Sequence, residues 1–239
     1  MGDWPYASGH RRHIMGSGGE YYRCIGILPE LQGLAVVTVG LDEVGRGCWA
    51  GPLVAAAVAM SDLQDGPVGL RDSKKLSRKQ REKLDGDIRS QVKAYGVGWV
   101  TPGEIDSMGL TKAVQLAMLR AMKELHKTCD EYDEIIIDGN INYFANVKGL
   151  SSHNIETIIR ADDSVPAVSA ASIIAKVARD GYMREIAAKY PEYGFDKHVG
   201  YGTAAHAAAL KQHGVTDIHR TSFAPIRDRM TNSQSPITK

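Results

Sequence analysis

The sequence predicts a layered α/β or α+β domain, and three observations carry that reading. Short apolar runs of strand length alternate with segments of helical spacing, the first two runs are separated only by a glycine turn, and a long alanine-rich segment lies near the C-terminal end. At 239 residues the chain is long enough for one main domain with a buried core. Hydrophobic residues at 43% and charged residues at 24% exclude wholesale disorder and a fibrous architecture.

In order, the run from Leu34 to Asp42 reads as a first strand and Gly51–Met60, entered through Pro52, as a second; the glycine turn between them predicts a hairpin. Ser77 is placed to cap a charged helix whose buried stripe is Leu84, Ile88 and Val92. Ala94 to Pro102 reads as a third strand. Leu110 to His126 has helical spacing in Val114, Met118 and Met122, with Thr111 as its cap. Glu134–Asp138, EIIID, is a short buried strand stopped by Gly139, and NIETIIRAD supplies a further strand. Val165 to Lys189 is the alanine-rich helix, its small residues suited to close packing on a sheet. After the turn YPEYGF come two shorter helical pieces, TAAHAAALKQHG and the region around SFAPIRDRM, then the polar tail TNSQSPITK. Residues 1–33 are expected to be a leader, 34–190 the main domain and 191–239 a helical extension with its tail.

Composition narrows the partners. A net charge of +1 gives little long-range steering, so any phosphate binding needs a local basic patch. Cys24, Cys48 and Cys129 have no C-x-x-C spacing and fit a reduced cytosol better than a disulfide or zinc framework. No run approaches the ~18 apolar residues of a membrane span. A cytoplasmic protein without a membrane partner is expected, with monomer as the default.

Asp42 and Asp138 each stand where an apolar strand meets a turn, the place where ligands collect in open sheets. Glu43 joins them only if the strand has already bent, because neighbouring strand residues face opposite sides. The pair Asp162 and Asp163 precedes the long helix. Several carboxylates without a His/Cys set favour a hard cation, Mg²⁺ or Mn²⁺, and hence metal-assisted phosphodiester hydrolysis. The turn Gly45-Arg46-Gly47 offers close backbone approach and one cation to a sugar–phosphate chain. Taken singly, each feature also has a plain reading: a solvated turn carboxylate, a chain reversal, a strand ending in Asp-Gly, a helix-surface charge at Asp180.

Together, GLDEVGRGCWAGPLVAAAV, RDSKKLS, IIIDG, RADDSVPAVSAASIIAKVARD, YPEYGFDKHVGYGT and HRTSFAPI resemble the ribonuclease HII family, in order, from about Gly40 to Ile226. The resemblance implies a ribonuclease H-like α/β fold, a central mixed sheet flanked by helices, with a small helical C-terminal extension. It implies an endoribonuclease acting on RNA–DNA hybrids, or on duplex DNA containing ribonucleotides, cutting 5′ to the ribonucleotide to leave 3′-hydroxyl and 5′-phosphate ends. Carried over by position, Asp42, Glu43, Asp138 and Asp162 are the catalytic and metal-holding residues, with Asp163 the alternative to Asp162 and Asp180 in support. Gly45, Arg46 and Gly47 read the 2′-hydroxyl and Tyr201 packs on the neighbouring deoxyribose; Ser73, Lys74 and Lys75 are candidate phosphate contacts. Arg220 is either a backbone contact or a structural partner.

The sequence departs from the family pattern at Val199, where a basic residue is common and for which Lys197 or His198 would have to compensate. It departs also at Cys48-Trp49 in place of Pro-Leu, and near Gly109, where an Asn is absent. Cys48 reads as packing rather than as a nucleophile. A non-cleaving hybrid-binding module is the rival from another class; four acids disfavour it, since they repel a polyanion. The related ribonuclease HIII carries an extra N-terminal domain, for which about 33 residues are too few.

Overall fold

The computed structural model describes residues 36–61, 70 and 76–232. Five strands form one mixed sheet in the order β3-β2-β1-β4-β5. β1 (Val37–Val44) runs antiparallel to β2 (Leu53–Ser61), which runs antiparallel to β3 (Ala94–Val100). On the other side, β1 is parallel to β4 (Glu134–Asp138), and β4 to β5 (Asn154–Ile158). The C-terminal ends of β1, β4 and β5 therefore share one edge of the sheet.

Helices cover both faces. α1 (Arg78–Gln91) starts at the expected Ser77 cap, completed by Gln80 as a capping box, and buries Leu84 and Ile88; Val92 is its C-cap. β3 stops at Val100, two residues short of the sequence reading, because Thr101 and Glu104 form a second capping box that opens α2 (Pro102–Met108). The T-P-G-E signal for that cap directly follows the apolar run that reads as strand. α2 leads into α3 (Leu110–Leu125), whose N-cap is Gly109 with no side-chain cap; Thr111 lies inside the helix and does not cap it. α3 packs Val114, Met118, Met122 and Leu125 with Val39, Leu41, Ile135 and Ile137 on one face of the sheet.

The other face receives α1 and α4 (Pro166–Lys189), through Ala167, Ala170, Ala171 and Ile174 against Val54, Ala56 and Val58. α4 approaches β1 so closely that a Cβ on Gly40 would lie 2.3 Å from the Ala167 carbonyl carbon, so this crossing requires glycine. The C-terminal half of α4 carries a separate cluster. Met183 and Ile186 pack there with Tyr193, Phe195, Leu210, Ile218 and Ile226, contributed by α5 (Phe195–His198), α6 (Ala204–His213), α7 (Ala224–Asn232) and their connections.

Candidate active site

The strand register sets the acidic residues side by side. Leu41 of β1 pairs with Ile137 of β4, so Asp42 and Asp138 are neighbours on adjacent parallel strands, whose ordinary spacing is ~4.8 Å. Asp138 in turn pairs with Ile158, after which the chain makes a single 3₁₀ turn, Ala161–Asp163. Its first amide, Ala161 N–H, donates to Asp138 Oδ1 at 2.8 Å, locking the turn to the strand end. Asp162 is 4% exposed, and its main-chain carbonyl accepts the Ser169 hydroxyl of α4. Asp163 is exposed and faces Arg160 at 3.7 Å. Of the two candidates, Asp162 is the one enclosed.

β1 does not bend at its acidic pair. Pairing with β2 continues through Glu43↔Ala55 to Val44↔Val54, so Glu43 comes within electrostatic reach of Asp42 and Asp138 without the bend that the sequence reading required. Asp42 lies toward α4, where Ser172 hydrogen-bonds its carboxyl, while Glu43 lines a cleft of about 120 Å³ with Arg46, Asp138, Gly139, Asn140 and Tyr143. The two nevertheless share one electrostatic environment, because Asp138 at the end of β4 acts on both. Burial first, then the Glu43 charge, push the Asp42 carboxyl up to about 8, with Asp138 adding to the rise. Burial also raises Glu43, opposed by Arg46 at 3.5 Å. Among the described residues, no three His, Cys, Asp or Glu side chains stand as a ready-made cation cage.

The turn from Gly45 to Pro52 is held from behind by two buried arginines. Gly45 has φ +87°, and a Cβ there would lie 2.2 Å from Arg179 Nε, so both conformation and space demand glycine. Arg179, fully buried on α4, donates from Nε to Pro52 O at 2.8 Å, from Nη2 to Ala50 O at 3.2 Å and from Nη1 to Val199 O at 2.9 Å. Arg220 donates to Gly51 O from Nε at 3.0 Å and Nη2 at 2.9 Å, and to Arg46 O from Nη1 at 3.0 Å. With 0% exposure, Arg220 braces the turn and does not present its guanidinium to a nucleic-acid backbone, which corrects the contact entertained above. Burial lowers it to about 10, still charged at neutral pH. Beyond it, Thr221 and Ser222 bind the Asp106 carboxylate of α2 through both main-chain amides and both hydroxyls. Gly47 is exposed, with open space where a side chain would stand.

Tyr201 lies at the rim of this turn, 39% exposed, its ring centroid 6.0 Å from the Arg179 guanidinium. Its hydroxyl hydrogen-bonds Cys48, whose buried thiol also reaches the Val199 carbonyl at 3.8 Å. Burial raises that thiol, as packing rather than nucleophilic sulfur requires. His198 does not stand in for a basic residue at Val199: its Nδ1 accepts Gly200 N–H at 3.3 Å and its Nε2 lies 2.8 Å from Tyr193 O. Lys197 is exposed. Asp180 pairs with Lys176 at 2.9 Å and approaches Arg81 at 4.0 Å, tying α4 to α1. Ser73, Lys74 and Lys75 lie outside the described residues. The residues that sequence reasoning missed are supports: Arg179, Asp106, Tyr143 and the pair His206 and His219. A charge at Arg179 within the stripe Ala175, Arg179, Met183 was the available signal.

Fold and edge together define an α/β enzyme with an acid-lined site at the C-terminal ends of its parallel strands. The family model described as Ribonuclease HII matches residues 39–226. The ribonuclease HII of Polynucleobacter asymbioticus is 46% identical over 189 residues, 79% of this chain and 93% of the relative. Among solved structures, the ribonuclease H2 of Pyrococcus horikoshii OT3 superposes with TM-score 0.68 at 27% identity, covering 84% of this chain and all of that one. Bst-RNase HIII, solved in complex with Mn²⁺, shares the fold with TM-score 0.64 at 22% identity, over 85% of this chain and 72% of that one. The chain belongs to the ribonuclease HII family, and is a hydrolytic endoribonuclease that cuts the RNA of RNA–DNA hybrids.

Proposed function

We propose that the chain hydrolyses the phosphodiester 5′ to a ribonucleotide, within a hybrid or embedded in duplex DNA, leaving 3′-hydroxyl and 5′-phosphate ends. Asp42, Glu43, Asp138 and Asp162 hold the divalent ion or ions, Mg²⁺ or Mn²⁺. The observation that carries this is the pairing of Leu41 with Ile137, which sets Asp42 beside Asp138 at a point where burial first and then the Glu43 charge hold Asp42 up at about 8. A buried group raised that far by enclosure and neighbouring carboxylates is one that a hard dication would return to its ionised form, and the oxygen-only donor set fits such an ion. When bound, the cation supplies an activated water and offsets charge on the departing oxygen. Glu43 lies 3.5 Å from Arg46, whose charge offsets part of its rise.

On the other side of the site, the Gly45–Gly47 amides face the sugar and Tyr201 packs against its neighbour. A pocket that hydrogen-bonds a 2′-hydroxyl leaves its donors unpaired against DNA, so it discriminates strongly. The same reading assigns residues 34–190 to the catalytic part and 191–239 to an extension, supported by the separate hydrophobic cluster on the far half of α4.

A duplex carrying one ribonucleotide, incubated with Mg²⁺ and in parallel with Mn²⁺, tests this. Cleavage on the 5′ side of the ribonucleotide is expected, with none of the all-DNA duplex and none by Asp42→Asn. Undiminished cutting by Asp42→Asn would reject the assignment.

A further inference from the structure

The main chain leading into Tyr201 is tied at almost every polar atom. Val199 O accepts from Arg179, Gly200 O accepts Trp49 N–H at 2.8 Å, and Tyr201 N–H donates to His198 O at 2.9 Å. The Tyr201 carbonyl accepts Thr203 N–H at 2.9 Å and lies 3.0 Å from His206 Nδ1. The far nitrogen of that ring, His206 Nε2, is 3.1 Å from His219 Nε2. Both rings are buried, at 0% and 1% exposure, and His206 stacks on His198 at 4.7 Å and contacts Trp49 at 5.5 Å.

Two imidazole nitrogens this close need one proton between them, and the surroundings decide which ring carries it. Thr216 N–H donates to His219 Nδ1 at 3.0 Å, so a neutral His219 has its proton on Nε2. That proton is given to His206 Nε2, which leaves the His206 proton on Nδ1, aimed at the Tyr201 carbonyl. Burial holds both histidines down to about 4, with their mutual repulsion contributing for His219, and so both are neutral around pH 7.

We propose that His206 and His219 are positioning residues for substrate recognition. The ordered donor chain from Thr216 through His219 and His206 fixes the Tyr201 main chain, and with it the place of the tyrosine ring against the Gly45–Pro52 turn. A nucleic-acid sugar is then admitted only where turn and ring both fit. The inference rests on the reading that Tyr201 touches the substrate.

The test is steady-state cleavage of a duplex with one embedded ribonucleotide by the full chain with Mg²⁺. His206→Asn keeps an amide donor near the Nδ1 position, whereas His206→Gln places its amide near Nε2 and loses the bond to Tyr201. Both variants are expected to lower the Tm. His206→Gln raises KM on the order of tenfold with kcat held within about twofold, and His206→Asn restores KM to near the wild-type value. A merely structural role lowers Tm in both and leaves KM equal in all three proteins, which would overturn the proposal. Tyr201→Ala separates the two layers. If it too leaves KM unchanged, the contact assigned to Tyr201 is wrong; if it raises KM while His206→Gln does not, the contact stands and the positioning role falls. Should His206→Gln not fold, ¹⁵N NMR of the wild-type chain decides. Protons on His206 Nδ1 and His219 Nε2 at pH 7 are expected; a proton on His206 Nε2, or a charged ring, contradicts the relay.

Discussion

At the end of β1, burial works against charge. Asp42 is enclosed beside Glu43 and Asp138 and pushed up to about 8, and Glu43 is raised as well. A few residues further on, around the Gly45–Pro52 turn, burial is matched at each point. Arg179 and Arg220 satisfy the carbonyls of Arg46, Ala50, Gly51, Pro52 and Val199, and the neutral pair His206 and His219 completes the loop at Tyr201. The contrast separates two tasks in one site. The acidic edge crowds buried like charges, which on the proposed reading a dication relieves, while the Gly45–Pro52 turn has its carbonyls already bonded and, as the proposed sugar contact, has little to reorganise on binding.

The largest expected effect follows from the strained side. Asp42→Asn should lower kcat/KM by ~10³-fold or more, as loss of a metal-holding group does. The same change should raise stability in the absence of a divalent ion. With its pKa raised from 3.8 to about 8, Asp42 binds a proton in the folded state that the unfolded state has released, so its contribution falls as pH rises between those values. Urea unfolding at pH 5 and pH 8 without metal should show that decline in the wild type and its loss in the variant.

On the rigid side, Arg179→Met removes the guanidinium donor from the buried carbonyls of Ala50 and Pro52 and from the half-buried one of Val199, and should cost about 3 kcal/mol, read by urea unfolding. Gly45→Ala combines a disfavoured φ with a clash on Arg179 and should cost about 2 kcal/mol, with a rise in KM for the embedded ribonucleotide. The smallest effect is acid-linked. His206 and His219 are lowered from 6.5 to about 4, so the unfolded state takes up their protons first. Their contribution is complete above about pH 6.5 and declines as pH falls toward 4. Thermal unfolding across this range should show the decline in the wild type and a shallower one in His206→Asn.

The acidic half was legible in the sequence because each carboxylate follows an apolar strand or precedes a helix, and strand ends in an α/β sheet converge. Periodicity also located β1, β2, β4 and α4. What it could not show was parallel pairing in register, which makes Asp42 and Asp138 neighbours although 96 residues separate them. The supporting half was illegible for a different reason. The sequence left Arg220 open between a backbone contact and a structural partner, and nothing local in HRTSF shows that its guanidinium turns inward to Arg46 O and Gly51 O. His206 and His219 lie 13 residues apart, and only the folding of α6 against its connection makes them a pair. The capping box Thr101-Glu104 was local and readable; it was hidden by the apolar strand running into it.

The relief of strain at the acidic edge by a dication is tested most directly by thermal unfolding of the wild type and Asp42→Asn, each with and without Mg²⁺ at pH 7.5. Without the ion, the Asp42→Asn variant should melt higher than the wild type; with it, the wild type should gain stability and the variant should not. Equal gains for both proteins, or a variant less stable than the wild type without Mg²⁺, would contradict it.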